Sequence, residues 1–67
     1  MAYAEYATAE ECKAHIAEAI TNDGGQPAAY DVESIYLTAF GYDGTTGKFH
    51  IMLGEDGFYA TIAQYEN

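Results

Sequence analysis

The stretch Lys48-Phe49-His50-Ile51-Met52-Leu53 decides the predicted fold, because a turn-forming cluster lies on each side of it. Residues 43–47 precede it with two glycines, and residues 54–57 follow it with two more. Alternation along the stretch predicts two different faces. The apolar face is formed by Phe49, Ile51 and Leu53, and the amphipathic face by Lys48, His50 and Met52. We therefore predict that this stretch is the middle strand of a three-stranded meander.

The flanking segments are predicted to form the other two strands. The segment 32–42 is rich in β-branched and aromatic residues, and a five-residue loop at 43–47 pairs Tyr42 with Lys48 and Phe40 with His50. The second turn can close as a three-residue or a four-residue loop, and the two differ by one residue of register. The four-residue loop separates aliphatic from aromatic side chains better, and it predicts a third strand over residues 58–65.

A helix over about residues 9–22 is predicted before the strands. Thr8 and Glu11 have the spacing of a capping box, and a Gly-Gly pair after residue 23 supplies the left-handed conformation that ends a helix. Apolar side chains recur at helical spacing along one stripe, formed by Ala9, Cys12, Ile16, Ala19 and Ile20. Residues 1–7 fit either a loose arm or an added edge strand, and their pattern leaves both open.

The predicted fold class is α+β, with one α-helix packed on a three-stranded antiparallel β-meander in the order αβββ, in a single domain spanning residues 1–67. A chain of this length buries only about 60% of its unfolded surface. Because a single cysteine excludes an internal disulfide, we expect extra burial to come from a partner chain. The expected core consists of Cys12, Ile16, Ala19, Ile20, Ile35, Leu37, Phe49, Ile51, Leu53, Phe58 and Ile62.

The charge balance narrows the classes of partner. Eleven Asp and Glu residues against two Lys and no Arg give a formal net charge of -9. Binding to phosphate requires clustered Lys or Arg, so direct nucleic-acid partners and anionic membrane surfaces are disfavoured. The expected partner is another protein with a basic surface or a second copy of this chain, and no small-molecule substrate is evident. The start of the chain resembles neither a signal peptide nor a membrane span, which favours a cytoplasmic protein.

No constellation with catalytic or ligand-binding spacing occurs in the sequence. Cys12, His15 and His50 are the only soft metal ligands, and zinc requires four donors at recognisable spacing. Cys12 lies on the apolar stripe, where it is expected to act as a small hydrophobic residue rather than a nucleophile. We therefore expect no enzymatic activity, no catalytic residues, no metal and no cofactor.

The candidate site is the amphipathic face of the predicted sheet, which the helix leaves uncovered. Tyrosine and methionine are enriched at protein interfaces, and carboxylates at the rim suit a basic partner. Exposed sheets favour Tyr and Thr in any case, and the acidity is equally compatible with a solvated surface or a salt-loving host. The predicted partner-binding residues are Tyr36, Phe40, Tyr42, His50, Met52, Tyr59, Tyr65, Glu55 and Asp56.

These features favour a small acidic, non-enzymatic interaction module. In its length, acidity and aromatic content the chain resembles the small phage-encoded inhibitors, anti-CRISPR proteins among them, that block nucleic-acid-handling complexes. The resemblance covers no motif, and no functional residue is carried over from it. It implies an inhibitor that occludes a basic, nucleic-acid-binding surface of a larger complex, as DNA-mimic proteins do. The alternative is a self-associating homodimeric structural protein, with a halophilic host as one variant.

Overall fold

The computed structural model describes residues 5–67 as three α-helices and a three-stranded antiparallel sheet, so the prediction of a single helix is wrong. The elements follow one another as β1 (Glu5–Tyr6), α1 (Ala9–Asn22), a 3-10 turn (Pro27–Ala29), α2 (Val32–Ala39), β2 (Phe40–Asp43), β3 (Lys48–Ile51) and α3 (Glu55–Gln64). The domain remains a mixture of helices and strands. None of the helices described is long and apolar enough to span a bilayer.

Helix α1 begins and ends where the sequence predicts. The Thr8 hydroxyl accepts a hydrogen bond from the Glu11 N–H at 3.2 Å, and the Glu11 carboxylate accepts one from the Ala7 N–H at 3.2 Å. The reciprocal cap thus reaches one residue further back than an ordinary capping box. Gly24, with φ of +88°, follows the helix end. The predicted stripe is confirmed, because its four buried members are Cys12, Ile16, Ala19 and Ile20.

The segment 32–39 is a helix, which corrects the prediction of a strand. Asp31 caps α2, since its carboxylate accepts from the Ser34 N–H at 3.2 Å and from the Ser34 hydroxyl at 2.6 Å. Helical spacing then brings the apolar side chains of this segment onto the core side, namely Val32, Ile35, Tyr36 and Ala39. Strand propensity spans only about 1 kcal/mol, and burial of this stripe outweighs it.

The segment 55–64 is also helical, so the predicted third strand is wrong. Glu55 and Asp56 do not close a hairpin; they form the first turn of α3, where negative charge is favourable next to the helix N-terminus. The buried side chains follow a period of 3.6, and they are Phe58, Thr61 and Ile62. Buried Thr61 satisfies its hydroxyl by donating to the Gly57 carbonyl oxygen at 2.9 Å.

The sheet has the order β1-β3-β2, which confirms β3 as the middle strand and corrects the predicted meander. Strand β1 pairs antiparallel with β3, with Glu5 opposite His50 and Tyr6 opposite Phe49. The third strand therefore comes from the N-terminal segment, so the edge-strand alternative is right for residues 5–6. The remainder of that prediction, residues 1–4, lies outside the described residues.

The β2–β3 hairpin differs from the predicted register by one residue. Asp43, not Tyr42, pairs with Lys48 across a four-residue turn at 44–47. The Asp43 carboxylate accepts from the Thr45 N–H at 2.8 Å, and Gly47 has a φ of +71°. A shift of one residue turns every side chain to the opposite face of the sheet.

The core lies between the helices and one face of the sheet. Its buried side chains are Cys12, Ile16, Ala19, Ile20, Ile35, Ala39, Phe40, Phe58 and Ile62. Phe49, Ile51 and Leu53, which we expected inside, are half-buried and pack against this cluster. Leu37 is a wrong prediction, since it is 68% exposed. A strand would place Leu37 beside Ile35, whereas a helix turns it away by about 200°.

Candidate functional site

The nine predicted partner-binding residues do not share one sheet face. The structure distributes them over α2 (Tyr36), β2 (Phe40, Tyr42), β3 and the residue after it (His50, Met52), and α3 with its C-terminal cap (Glu55, Asp56, Tyr59, Tyr65). This correction follows from two findings, the helical state of residues 32–39 and 55–64 and the shifted hairpin register. Three separate surfaces result, each with its own chemistry.

Phe40 is a core residue, so little of its side chain is available to a partner. It is 6% exposed, and its ring packs edge-on against Tyr6 at 5.6 Å and Phe58 at 6.4 Å between centroids. The observed register places Phe40 opposite Ile51 on the helix-covered face. The predicted placement of Phe40 on the uncovered face is therefore wrong, because that placement required the pairing with His50.

The first surface is an aromatic ridge formed by Tyr36, Phe49 and Tyr42. The ring centroids are 6.1 Å apart between Tyr36 and Phe49 and 5.0 Å apart between Phe49 and Tyr42, within the range of favourable aromatic pairs. Tyr36 and Phe49 are half-buried, and Tyr42 is 61% exposed. The ridge thus starts in the core and ends at solvent near the hairpin turn.

A cation is held at the inner end of the aromatic ridge. The Lys13 ammonium lies 5.5 Å from the centroid of the Tyr36 ring and donates a hydrogen bond to the Glu33 carboxylate at 2.6 Å. The bond to Glu33 raises the pKa of Lys13 above its usual range. Sequence analysis missed this contact because α1 and α2 bring Lys13 and Glu33 together across a gap of 20 positions, with no local spacing to indicate it.

The second surface is the outer side of α3. Glu55 and Asp56 are exposed in its first turn, and Tyr59 follows at 44% exposure with its ring against Phe58. Residues three and four apart are neighbours on a helix, so Tyr59 shares this surface with both carboxylates. All three residues were predicted to bind a partner, with Glu55 and Asp56 in a turn at the rim and Tyr59 on the sheet rather than together on a helix. Tyr65, also predicted, lies at the C-terminal cap, 3.5 Å from the Thr38 hydroxyl through its own hydroxyl.

The third surface is the outer face of the sheet, opposite the core. Alternation and register bring Glu5, Gly41, Asp43, Lys48 and His50 to this face. Met52 also lies there, because a Cβ added at Gly41 would meet the Met52 sulfur. Lys48, His50 and Met52 therefore keep the outward orientation that their alternation predicted. No aromatic residue other than His50 joins them among the described residues, so this face lacks the tyrosines that we expected.

Carboxylates lie on all three α-helices and on both edge strands of the sheet. Ten of the eleven are exposed, and Asp43 is half-buried. Within residues 5–67 a single ion pair, Lys13 with Glu33, neutralises one of them. Glu11, Asp31 and Asp43 accept hydrogen bonds that cap helices or close the hairpin turn. The remaining seven make no side-chain hydrogen bond to the described residues, and they are Glu5, Glu10, Glu18, Asp23, Glu55, Asp56 and Glu66.

The three soft ligands do not form a common site, because Cys12 is buried, His15 is half-buried among aromatic rings and His50 lies on the outer face of the sheet. Cys12 is 0% exposed, and burial raises the pKa of its thiol, which keeps it protonated and weakly nucleophilic. The His15 ring packs against Tyr6 at 5.5 Å and Phe58 at 5.7 Å between centroids. Among residues 5–67, no group of three or more His, Cys, Asp or Glu side chains is placed to hold a metal ion.

No protein-family model matches the sequence, and comparisons with curated proteins and with solved structures return no match.

Proposed function

We propose that this chain is a non-enzymatic binding protein that occludes a basic, nucleic-acid-binding surface of a larger protein complex in the cytoplasm. The observation that carries the proposal is the excess of exposed, unneutralised carboxylates around the fold. Uncompensated charge of one sign repels itself, and docking onto a basic surface relieves that repulsion. Complementary charge also steers the encounter and raises the association rate.

The size of the protein supports occlusion by one broad surface. Specific interfaces bury about 800 Å² on each partner, which is roughly a fifth of the 4450 Å² surface of this chain. Carboxylates lie on every helix and on strands at both edges of the sheet, so any interface of that size includes several of them. They would take the place of nucleic-acid phosphates on the partner, which is what the resemblance to small phage-encoded inhibitors implies.

The test is capture of proteins from a bacterial lysate by the immobilised chain, at about 50 mM and about 500 mM salt. We expect specific proteins to bind at low salt, to be released at high salt and to be displaced by double-stranded DNA. Displacement by DNA of one defined complex is the decisive part, because a solvated acidic surface without a partner would retain only a mixture of basic proteins in proportion to their charge.

A charge-reduced variant sharpens this experiment. Replacing five carboxylates that make no described hydrogen bond changes the formal net charge from -9 to -4 and spares the carboxylates that cap helix N-termini or close the hairpin turn. The changes are Glu10→Gln, Glu18→Gln, Asp23→Asn, Glu55→Gln and Glu66→Gln. Glu→Asp changes at Glu10, Glu18, Glu55 and Glu66 provide a control of unchanged charge. Capture should fall sharply with the first variant and persist with the second. Equal capture by both would contradict the proposal.

Self-association is the second candidate, and the sheet edge favours it. Strand β2 pairs with β3 on one side only, and Met52 beside it is 65% exposed. An open edge strand can pair with a second copy. Each chain carries -9, so any dimer should strengthen as salt rises. Sedimentation at low and high salt separates the candidates, since a monomer under both conditions removes this one.

A further inference from the structure

The contact between Lys13, Tyr36 and Glu33 indicates what the aromatic ridge can bind. A primary ammonium lies over one ring of the ridge while a carboxylate beside it accepts its hydrogen bond. The site combines two interactions that favour a cation, the negative face of an aromatic ring and a charge-assisted hydrogen bond. The same two interactions would favour a cation supplied by a partner.

The outer end of the ridge offers an exposed aromatic ring without an internal cation. Tyr42 is 61% exposed and packs on Phe49, so one side of its ring is supported while the rest faces solvent. Asp43 and Lys48 pair with each other on the opposite face of the sheet, so neither of these charged side chains shares the face of the Tyr42 ring.

We propose that the aromatic ridge binds an arginine side chain of a basic protein partner, with the guanidinium stacked on Tyr42 and a second cation able to replace Lys13 on Tyr36. The inference rests on the proposed function and identifies the part of the surface that recognises the partner. Arginine fits better than lysine, since a planar, weakly hydrated guanidinium stacks on a ring and a strongly hydrated ammonium does so less well.

The negative charge of the chain favours a cationic partner over the other molecules that an aromatic surface can bind. Proteins that stack nucleic-acid bases surround their aromatic side chains with a basic groove, whereas the ridge has Glu33 at its inner end and the chain carries a net charge of -9. A second copy of the chain would bring another -9 into contact. A cationic partner gains both from the rings and from the negative charge of the chain.

The probes are two blocked peptides of equal charge, tetra-arginine and tetra-lysine, titrated into the protein and followed by NMR. The wild-type chain should bind tetra-arginine more tightly, with the largest shifts at the ridge. Tyr42→Leu keeps apolar bulk but removes the ring, and it should weaken tetra-arginine binding about two- to five-fold. Tyr42→Phe should bind as the wild type does. Tyr59→Leu, which removes an exposed ring that packs on Phe58 instead of the ridge, should weaken binding less than Tyr42→Leu does.

Two lysine variants test the inner end of the ridge at matched charge. Lys13→Gln and Lys48→Gln each remove one positive charge, so both should raise the affinity for a cationic peptide. Only Lys13→Gln also frees the Tyr36 ring and Glu33, and we expect it to give the larger gain. Equal gains would show that net charge alone acts and would overturn the role of Lys13.

The remaining outcomes distinguish this inference from the proposed function. If Tyr42→Leu binds like the wild type while DNA-sensitive capture persists, the ridge is not the recognition surface and the proposed function stands. If Tyr59→Leu loses as much affinity for tetra-arginine as Tyr42→Leu, the inference also fails.

NMR shifts at the ridge on dilution would assign the ridge to a second copy of the chain, and shifts on adding single-stranded oligothymidylate would assign it to nucleic-acid bases. If the wild-type chain shows neither binding of the arginine peptide nor DNA-sensitive capture, both proposals fail. Unfolding midpoints confirm that each variant is folded.

Discussion

Phe40 of β2 lies directly across the sheet from Ile51 of β3, so both side chains project from the face that the helices cover. Phe40 is thereby enclosed by aromatic rings from β1, α2 and α3, namely Tyr6, Tyr36 and Phe58. Its neighbour two positions on, Tyr42, projects from the same face but reaches solvent beyond the helices. One short strand thus supplies both a central core residue and the exposed end of the aromatic ridge.

Removing the Phe40 side chain should therefore be a core mutation. We expect Phe40→Ala to lower the free energy of unfolding by about 3–5 kcal/mol, since it leaves a cavity among several rings. Tyr42→Ala should cost roughly 1 kcal/mol, the worth of one aromatic pair. Urea unfolding of both variants provides the measurement.

A stability of roughly 3–10 kcal/mol is typical for 67 residues, so Phe40→Ala could leave no folded protein to measure. Phe40→Leu is the milder substitute, and it should still lose more stability than Tyr42→Ala. A Phe40 variant as stable as the wild type would place this ring outside the core.

The pair Ile35 and Leu37 tests whether residues 32–39 form a helix. In a strand the two side chains would share a face, whereas in α2 Ile35 is buried and Leu37 is exposed. Ile35→Ala should cost about 2–5 kcal/mol, and Leu37→Ala should stay within about 0.5 kcal/mol of the wild type. Similar losses for the two variants would support a strand and contradict α2.

Gly47 and Gly44 form a matched pair within the hairpin turn. Gly47 has a φ of +71°, which costs a residue with a side chain roughly 1–2 kcal/mol, so Gly47→Ala should destabilise the protein by about that amount. Gly44 has no positive φ, and a Cβ added there meets nothing within 4 Å. Gly44→Ala should be neutral or slightly stabilising, because it restricts the unfolded chain. Thermal unfolding distinguishes the two, and a reversed order would contradict the turn geometry.

The Asp31 cap should make stability depend on pH in the acid range. Hydrogen bonds from the hydroxyl and N–H of Ser34 hold the pKa of Asp31 below its usual range. Because the pKa is depressed, the ionised carboxylate stabilises the fold at pH values above the unfolded-state pKa of about 4. This stabilisation is lost as the pH falls through the pKa of the folded state. Asp31→Ala should therefore be less stable than the wild type near neutral pH, and the gap should narrow in acid.

Asp31→Asn is the control for this pH dependence. Asparagine caps a helix about as well as aspartate but does not ionise, so it should retain the cap at neutral pH. The gap between Asp31→Asn and Asp31→Ala should then stay constant across the acid range. Unfolding curves for the three proteins at several pH values provide the test. A gap between wild type and Asp31→Ala that is unchanged down to low pH would show that the carboxylate charge does not support the cap.

The aromatic ridge was not predictable as a unit, although two of its members were predicted to bind a partner. Tyr36 and Tyr42 were selected for exposure and amphipathic character, and Phe49 was assigned to the core. The ridge arises because α2 brings Tyr36 over the sheet and the shifted register places Tyr42 beside Phe49. Neither event has a local signal, since both depend on which face of an element packs inward.

The sequence by itself determined the elements whose signals are local. Helix α1 has a cap, an apolar stripe and terminal glycines within one segment, and β3 has a turn cluster on each side. Tertiary structure decided residues 32–39 and 58–64, because positions such as 58 and 62 satisfy a period of two and a period of 3.6 equally well. In these segments the choice between helix and strand depended on which of the two buries more apolar surface against α1 and the sheet. The spacing of apolar residues within one segment does not reveal this difference, because it depends on contacts with distant segments.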